Sequence, residues 1–338
     1  MQWVDGMRGF SMIVVVLGHV LMSMGIGGYD SFISSFFLSF RMPLFFFVSG
    51  FFSYRAISWW NPSKIGDILK RKFQAQVLCT FVFLFIYQLV FFGYIKGISE
   101  GFEGYWFTIV LFQMYLCYLL FSLLSRKIKR DITVSALIIL SVGGIVAVVL
   151  YHGHSRLWEM LSWINLTKYF QFFTLGVICS KYREYFFRLL GNSGFIALAV
   201  IGWIISLLLW YNDSFRLSFP YLYMFIHDIF IRYCALMTVV AFFYKNASYF
   251  DYSRHGKKLQ FIGRRTLDIY MIHFFLLPDI SYIGPWLSQG NMFVIQLLVS
   301  GIITAIIVGL CLVISAILRQ SKYLATWLFG VKSHELQG

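Results

Sequence analysis

Ten runs of almost unbroken apolar residues, separated by short polar segments, set the pattern of the chain. They fall at roughly 9–27, 34–54, 75–93, 105–124, 132–151, 167–180, 194–210, 222–243, 266–286 and 292–318. A helix needs about 20 mostly apolar residues to cross ~30 Å of hydrocarbon, and most of these runs have that length; the sixth is short and the tenth long. None shows the alternation of a barrel strand, and a water-free interior admits only helices or closed barrels. The pattern predicts an all-α polytopic membrane protein of about ten transmembrane helices. No internal repeat, low-complexity tract or soluble domain interrupts it, so residues 1–320 read as a single transmembrane domain and 321–338 as a short tail.

Composition supports the same reading. Of 338 residues, 59% are hydrophobic, 20% aromatic and 12% charged, and the mean hydropathy is +0.75. Thirty-eight Phe and 21 Tyr stand against 14 acidic residues, too little polar surface to cover a water-soluble globule. A soluble enzyme is excluded, and so is a disordered chain, which needs low hydrophobicity and high charge. The five cysteines (Cys79, Cys117, Cys179, Cys234, Cys311) are single and show no ligand spacing, so neither a metal site nor a disulfide framework is expected.

The net charge of +14 could suggest nucleic acid, but its location does not. The basic residues form short clusters between apolar runs, such as Lys70-Arg71-Lys72 and Arg126-Lys127-Ile128-Lys129-Arg130. Counted by side, 22 of the 28 Lys and Arg fall at the N-terminus, in alternate loops and in the tail, against four in the opposite loops. Lys and Arg collect on the cytoplasmic side, so both termini are expected in the cytoplasm and no nucleic-acid partner is expected. The first run is N-terminal, but it lacks the basic flank of a signal peptide because Asp5 offsets Arg8, and it reads as a retained span.

Ionisable residues within the runs are costly, and so are candidates for function. Arg8 and His19 are 11 residues apart, which at 100° per residue is about 20° beyond three turns and about 16 Å of rise, so they share one helical face. Asp5, one turn before Arg8, suits an ion pair that orients it. In the second run Arg41 lies about 11 Å from the outer face, close to the depth of His19. Pro43 removes a backbone hydrogen bond there and frees a carbonyl. Each has a plainer reading: Arg8 as a snorkelling anchor, His19 bonded to a neighbouring helix, Arg41 buried against carbonyls. Two cations at one depth nevertheless suit an anionic or carbonyl-bearing ligand. His273, roughly 10 Å from the cytoplasmic face, either packs with a satisfied hydrogen bond or lines the same space. Asp228 and Arg232, spaced i,i+4, suit an intrahelical ion pair. His152, His154 and Glu159 share an outer loop and could suggest a metal, but read as solvated loop residues.

Two segments together carry a family resemblance. Trp3-Val4-Asp5-Gly6-Met7-Arg8-Gly9-Phe10 leads to Gly18-His19, and Arg41-Met42-Pro43-Leu44-Phe45-Phe46-Phe47-Val48-Ser49-Gly50 follows. This resembles the acyltransferase 3 family of polytopic bacterial membrane proteins, nearest its fucose O-acetylase-like and intercellular-adhesin-type carbohydrate O-acyltransferases. Tyr105-Trp106-Phe107, Phe172-Phe173-Thr174-Leu175-Gly176 and the stretch Ile262–His273 extend the likeness over nearly the whole chain. The resemblance implies ten helices in a bacterial inner membrane. It also implies transfer of an acyl group, usually acetyl from acetyl-CoA, to a hydroxyl of a surface or lipid-linked carbohydrate, a modification of cell-envelope polysaccharide. The family's catalytic positions fall on Arg8 and His19, with its leading acidic residue on Asp5. Many members carry histidine where this chain has Arg41. The basic motif before the third helix falls on Lys70-Arg71-Lys72, without the proline that often follows.

The residue chemistry fits such a transfer. A hydroxyl needs a base to take its proton, and desolvation favours the neutral, proton-accepting imidazole at His19. Arg41 can donate to a developing oxyanion, with Ser49 and His273 grouped beside it as substrate-binding candidates. The phosphates of an acyl-CoA co-substrate suit Arg8, Arg71 and Lys72, although Arg71 and Lys72 could equally be topology charges. No permanently bound cofactor and no metal are expected; the expected partners are acyl-CoA, a glycan and the lipid bilayer. A lipid-linked-sugar exporter or flippase is the rival class. Such transporters often pair interrupted helices in matching halves, whereas the Pro-interrupted motif here has no counterpart five helices on.

Overall fold

A computed structural model describes residues 1–26, 31–55, 62–98, 102–150, 159–210, 221–288 and 293–329. Most of these are helical, and no strand occurs among them. The chain is an all-α polytopic membrane protein: among the described residues seven helices are long and apolar enough to cross a bilayer, and Thr133–Ala147 is a shorter apolar helix. Two compact units divide it, one of Met1–Phe45 with Tyr182–Leu312, the other of Phe46–Lys181 with Val313–Gly338.

The first unit is organised around α1 (Gln2–Ser23). Fourteen of its residues are buried, so it is a core helix as much as a span. It stops in a Schellman turn: Gly25 takes φ +74°, its N–H donates to the Met22 carbonyl, and the Ile26 N–H donates to that of Leu21. The second run then forms α2 (Phe32–Leu38) and α3 (Arg41–Ser53), with a break at Ser39-Phe40. The ring of Pro43 accounts for it, since it removes the donor to the Ser39 carbonyl and crowds that turn. The Leu38 carbonyl exposed by the break accepts from Arg232 Nη1 at 3.2 Å.

The second unit contains α4 (Pro62–Phe73), a π-turn at Gln74–Leu78, α5 (Cys79–Phe92), α6 (Trp106–Ile128), α7 (Thr133–Leu150) and α8 (Trp163–Lys181). Here α3 and α8 cross backbone to backbone: a Cβ on Gly50 would strike the Phe173 carbonyl, and one on Gly176 would strike that of Phe47. Asp131 accepts from the Thr133 N–H at the start of α7 and bonds Lys181 Nζ at 2.6 Å.

The chain returns to the first unit with α9 (Arg183–Gly191), α10 (Ser193–Trp210), α11 (Tyr221–Lys245), α12 (Ala247–Tyr252), α13 (Arg254–Arg264) and α14 (Thr266–Ile272). A 3-10 turn at His273–Phe275, α15 (Gly284–Ser288) and α16 (Phe293–Leu318) follow, and α17 (Lys322–Phe329) is the last described helix. Helices α9, α12, α13 and α17 lie in segments whose polarity reads as connecting loop. Amphipathic surface helices of six to 11 residues carry no long apolar run to announce them. The expected ninth span is corrected in a different way. It is a short helix that tightens at His273 and ends before Pro278, whose ring disfavours helix in the residue before it. His152 and His154 lie outside the described residues, Glu159 is exposed, and no cluster of metal-ligand type occurs among the described residues.

The α1–α13 crossing is the closest in the first unit. A Cβ on Gly9 would strike the Leu259 carbonyl, and a Cβ on Gly263 would strike the Asp5 carbonyl and approach the Gly9 nitrogen at 3.1 Å. Small residues allow such approach between membrane helices, where dispersion and weak backbone contacts replace the hydrophobic drive of water. Gly263→Ala should therefore lower the melting temperature of the detergent-solubilised protein, at a cost of about 1–3 kcal/mol. Gly301→Ala on α16, which has nothing within 4 Å, should leave it unchanged or slightly raised; equal melting curves for both would contradict the crossing.

Candidate functional site

The site is built in the first unit by α1 and α14, which run side by side from the Lys/Arg-rich end. At their entry, Arg8 Nη1 lies 3.5 Å from Asp5 Oδ1, forming the expected ion pair, and Nη2 donates to Thr266 Oγ1 at 3.4 Å. Thr266 opens α14. Arg8 thus joins the start of α14 to α1 with its side chain about one-third exposed (34%). Arg265 next to it pairs with the buried Asp268 at 3.5 Å.

Three turns further along α1, His19 meets the far end of α14. Its ring centroid is 5.2 Å from that of His273 and 5.0 Å from that of Phe274, the latter edge-on. His273 is fully buried. Its Nδ1 lies 2.8 Å from the Tyr270 carbonyl and 3.1 Å from that of Ile269. Carbonyls only accept, so Nδ1 carries a proton, and in the neutral form of the ring Nε2 is the acceptor. That Nε2 is buried and has no hydrogen-bond partner among the described residues. The His273 ring packs against His19 with Nδ1 satisfied by backbone carbonyls, which is the packing reading of this residue.

Arg41 arrives from the first residue of α3. Its guanidinium lies against the α1 backbone at Gly18, so closely that a Cβ there would overlap Nη1 and Cζ. Its carbonyl accepts from Ser11 Oγ at 3.4 Å, and the Phe10 and Phe40 rings stack 6.1 Å apart with a 6° interplanar angle beside the break. The result is an arginine, a half-buried histidine and a buried histidine gathered at two interrupted spans. Non-helical backbone at membrane depth is tolerated where protein buries it or a cavity needs it. Such a set can accept a proton at an imidazole and donate from a guanidinium to a developing negative oxygen.

Asp5, Arg8, His19, Arg41 and His273 are therefore brought into one strip. Ser49, Arg71 and Lys72 belong to the second unit. There Ser49 is half-buried and its carbonyl accepts from Ser53 Oγ. Lys72 Nζ sits 3.9 Å above the Tyr115 ring, and Arg71 is half-buried. Asp228 and Arg232 form the expected pair at 2.9 Å, with Arg232 also serving the Leu38 carbonyl. Three contributors carried no assigned role in the sequence reading: Gly18, Thr266 and Phe274. Gly18 immediately precedes the aligned histidine and Thr266 lies within the resembling stretch Ile262–His273, which were the available signals; nothing local marks Phe274.

No curated protein and no solved structure matches this chain. A protein-family profile described as "Acyltransferase domain" matches residues 1–317. That range covers nearly the whole chain and the entire Arg8–His19–Arg41–His273 strip, and it decides for an acyltransferase over an exporter. The chain belongs to the acyltransferase 3 family.

Proposed function

We propose that this membrane acyltransferase moves an acyl group, acetyl in the simplest case, from acyl-CoA to a hydroxyl of a surface or lipid-linked carbohydrate in a bacterial inner membrane. The observation that carries the reading is the meeting of His19 with His273 and Arg41 at the end of a strip that starts at Arg8. His19 takes the proton of the acceptor hydroxyl as its oxygen attacks the thioester carbonyl. Arg41 donates to the oxyanion of the tetrahedral intermediate. Collapse breaks the C–S bond, and the departing CoA sulfur recovers the proton from the His19 imidazolium. The products are an O-acyl ester and free CoA. His273 holds its ring fixed through Nδ1 and keeps an acceptor beside His19, while Asp5 and Thr266 fix Arg8 at the cytoplasmic end for the donor's phosphates. Ser49, Arg71 and Lys72 are further candidates for contacts with donor or acceptor.

Scarcity of water at the depth of His19 suppresses hydrolysis of the thioester. The donor enters from the Lys/Arg-rich side, and the acceptor most simply approaches from the opposite side.

The direct test incubates the purified protein with labelled acetyl-CoA and a panel of surface glycans, following free CoA and alkali-labile O-acyl ester. Release of CoA without ester on any glycan would count against a carbohydrate acceptor. His19→Ala should lower transfer by about 10²–10⁴-fold with unchanged membrane insertion; near-wild-type transfer would remove His19 as the base. Gly18→Ala should leave the melting temperature near wild type, because only a flexible side-chain end must move. It should nonetheless lower kcat by about 100-fold as Arg41 is displaced from beside the imidazole. Full activity in that variant would show that the Arg41 position is not used. Arg8→Ala and Arg71→Ala should each weaken CoA binding measured by titration calorimetry; unchanged affinity in both would leave them as topology charges.

A further inference from the structure

Helix α13 has two unlike faces. Gly256, Leu259, Gln260 and Gly263 turn towards α12 and α1: a Cβ on Gly256 would strike the Phe250 carbonyl, Gln260 Nε2 donates to that carbonyl at 2.6 Å, and Gly263 meets Asp5 and Gly9. On the other face, Arg254, Lys257, Lys258 and Phe261 follow the i, i+3, i+4, i+7 spacing of one helical stripe. All four are exposed. With Ile262 and Leu312 near the end of α16, they line an open groove of about 440 Å³. Its walls are the alkyl stems and apolar side chains, and its rim is three cations, none of them ion-paired among the described residues. A fourth, Arg265, lies 5.8 Å over the Phe261 ring but is paired with Asp268. The neighbouring α16 is a strongly apolar span that exposes Ile302 and Ile306, so the groove opens beside a lipid-facing surface.

We infer that this groove binds one anionic phospholipid of the cytoplasmic leaflet, with its phosphodiester held by Arg254, Lys257 and Lys258 and an acyl chain lying over Phe261, Ile262 and Leu312. Charge and shape both select this occupant. A concave apolar floor suits a hydrocarbon chain, and unpaired cations at its rim suit a fixed phosphate charge at the membrane surface. The phosphates of an acyl donor do not explain the groove, because α13 presents it on the face opposite α1. The strip from Arg8 to His19 lies on the α1 side. The inference does not depend on the reaction proposed above.

Native mass spectrometry of the full chain released from detergent tests it, with dioleoyl phosphatidylglycerol and dioleoyl phosphatidylcholine as competing probes. The wild type should retain the anionic lipid about tenfold or more over the zwitterionic one, at roughly 1 kcal/mol for each cation near the surface. R254Q/K257Q/K258Q should lose that preference. R126Q/K127Q/R130Q removes as much charge from another Lys/Arg-rich segment and should keep it. In the wild type, phosphatidylglycerol but not phosphatidylcholine should shield Lys257 and Lys258 from amine-reactive labelling, a readout that needs no variant to fold. Three results would overturn the site: no lipid preference in the wild type, equal loss of preference in the control variant, or labelling unaffected by phosphatidylglycerol. Displacement of the lipid by acetyl-CoA, with weaker acetyl-CoA binding in the first variant, would assign the groove to the acyl donor instead.

Discussion

The first unit depends on the crossing of α1 and α13 at Gly9 and Gly263. With no side chain at either position, the backbones meet at van der Waals distance, and the Asp5 and Leu259 carbonyls lie where a Cβ would have been. That contact sets the starting point of α14, because only Arg265 separates α13 from Thr266. Once Thr266 is fixed beside Arg8, seven residues of helix deliver His273 to the level of His19. Dispersion between close backbones is weak per atom and large in sum, and here it also determines which polar groups meet.

Polar economy explains the interruptions. A carbonyl left without its helical donor inside a membrane costs several kcal/mol, so each break requires a substitute. Arg232 supplies it at Leu38, and the His273 side chain supplies it at Tyr270. The two substitutions differ in consequence. Arg232 is itself balanced by Asp228 and ends in structure. His273 spends one ring nitrogen on the backbone and retains the other, which links the break of the ninth run to the neighbourhood of His19. Arg41, at the first turn of a half-helix, combines its own charge with the positive end of the helix dipole.

The site was legible in part, and the reason is geometric. Arg8 and His19 lie on one helix, so 11 residues of regular rise place them on a shared face without reference to anything else. The Asp5–Arg8 pair is equally local. The meeting of Arg41 with His19 was suggested by similar depth in two spans, but depth leaves rotation about each helix axis undefined; contact at Gly18 fixed that rotation. His273 had two readings because its tautomer and neighbours depend on a 3-10 turn that no apolar run reveals. The helices α9, α12 and α13 were missed because short amphipathic segments at a membrane surface look like polar loops.

Apolar length and the placement of Lys and Arg are sums over many residues, and no single contact alters them. By itself the sequence therefore determined a helical membrane protein, its ordered runs and their expected orientation, along with the intrahelical alignment of Arg8 and His19. Tertiary structure alone decided that Thr266 holds Arg8, that Gly18 makes room for the Arg41 guanidinium, and that His273 lies beside His19. It also decided that one stripe of α13 is an open basic groove while its opposite face is buried on α1. These are matters of helix rotation and crossing, set by close approach between different helices, most of the contacts joining segments more than 200 residues apart in the chain, and no local pattern encodes them.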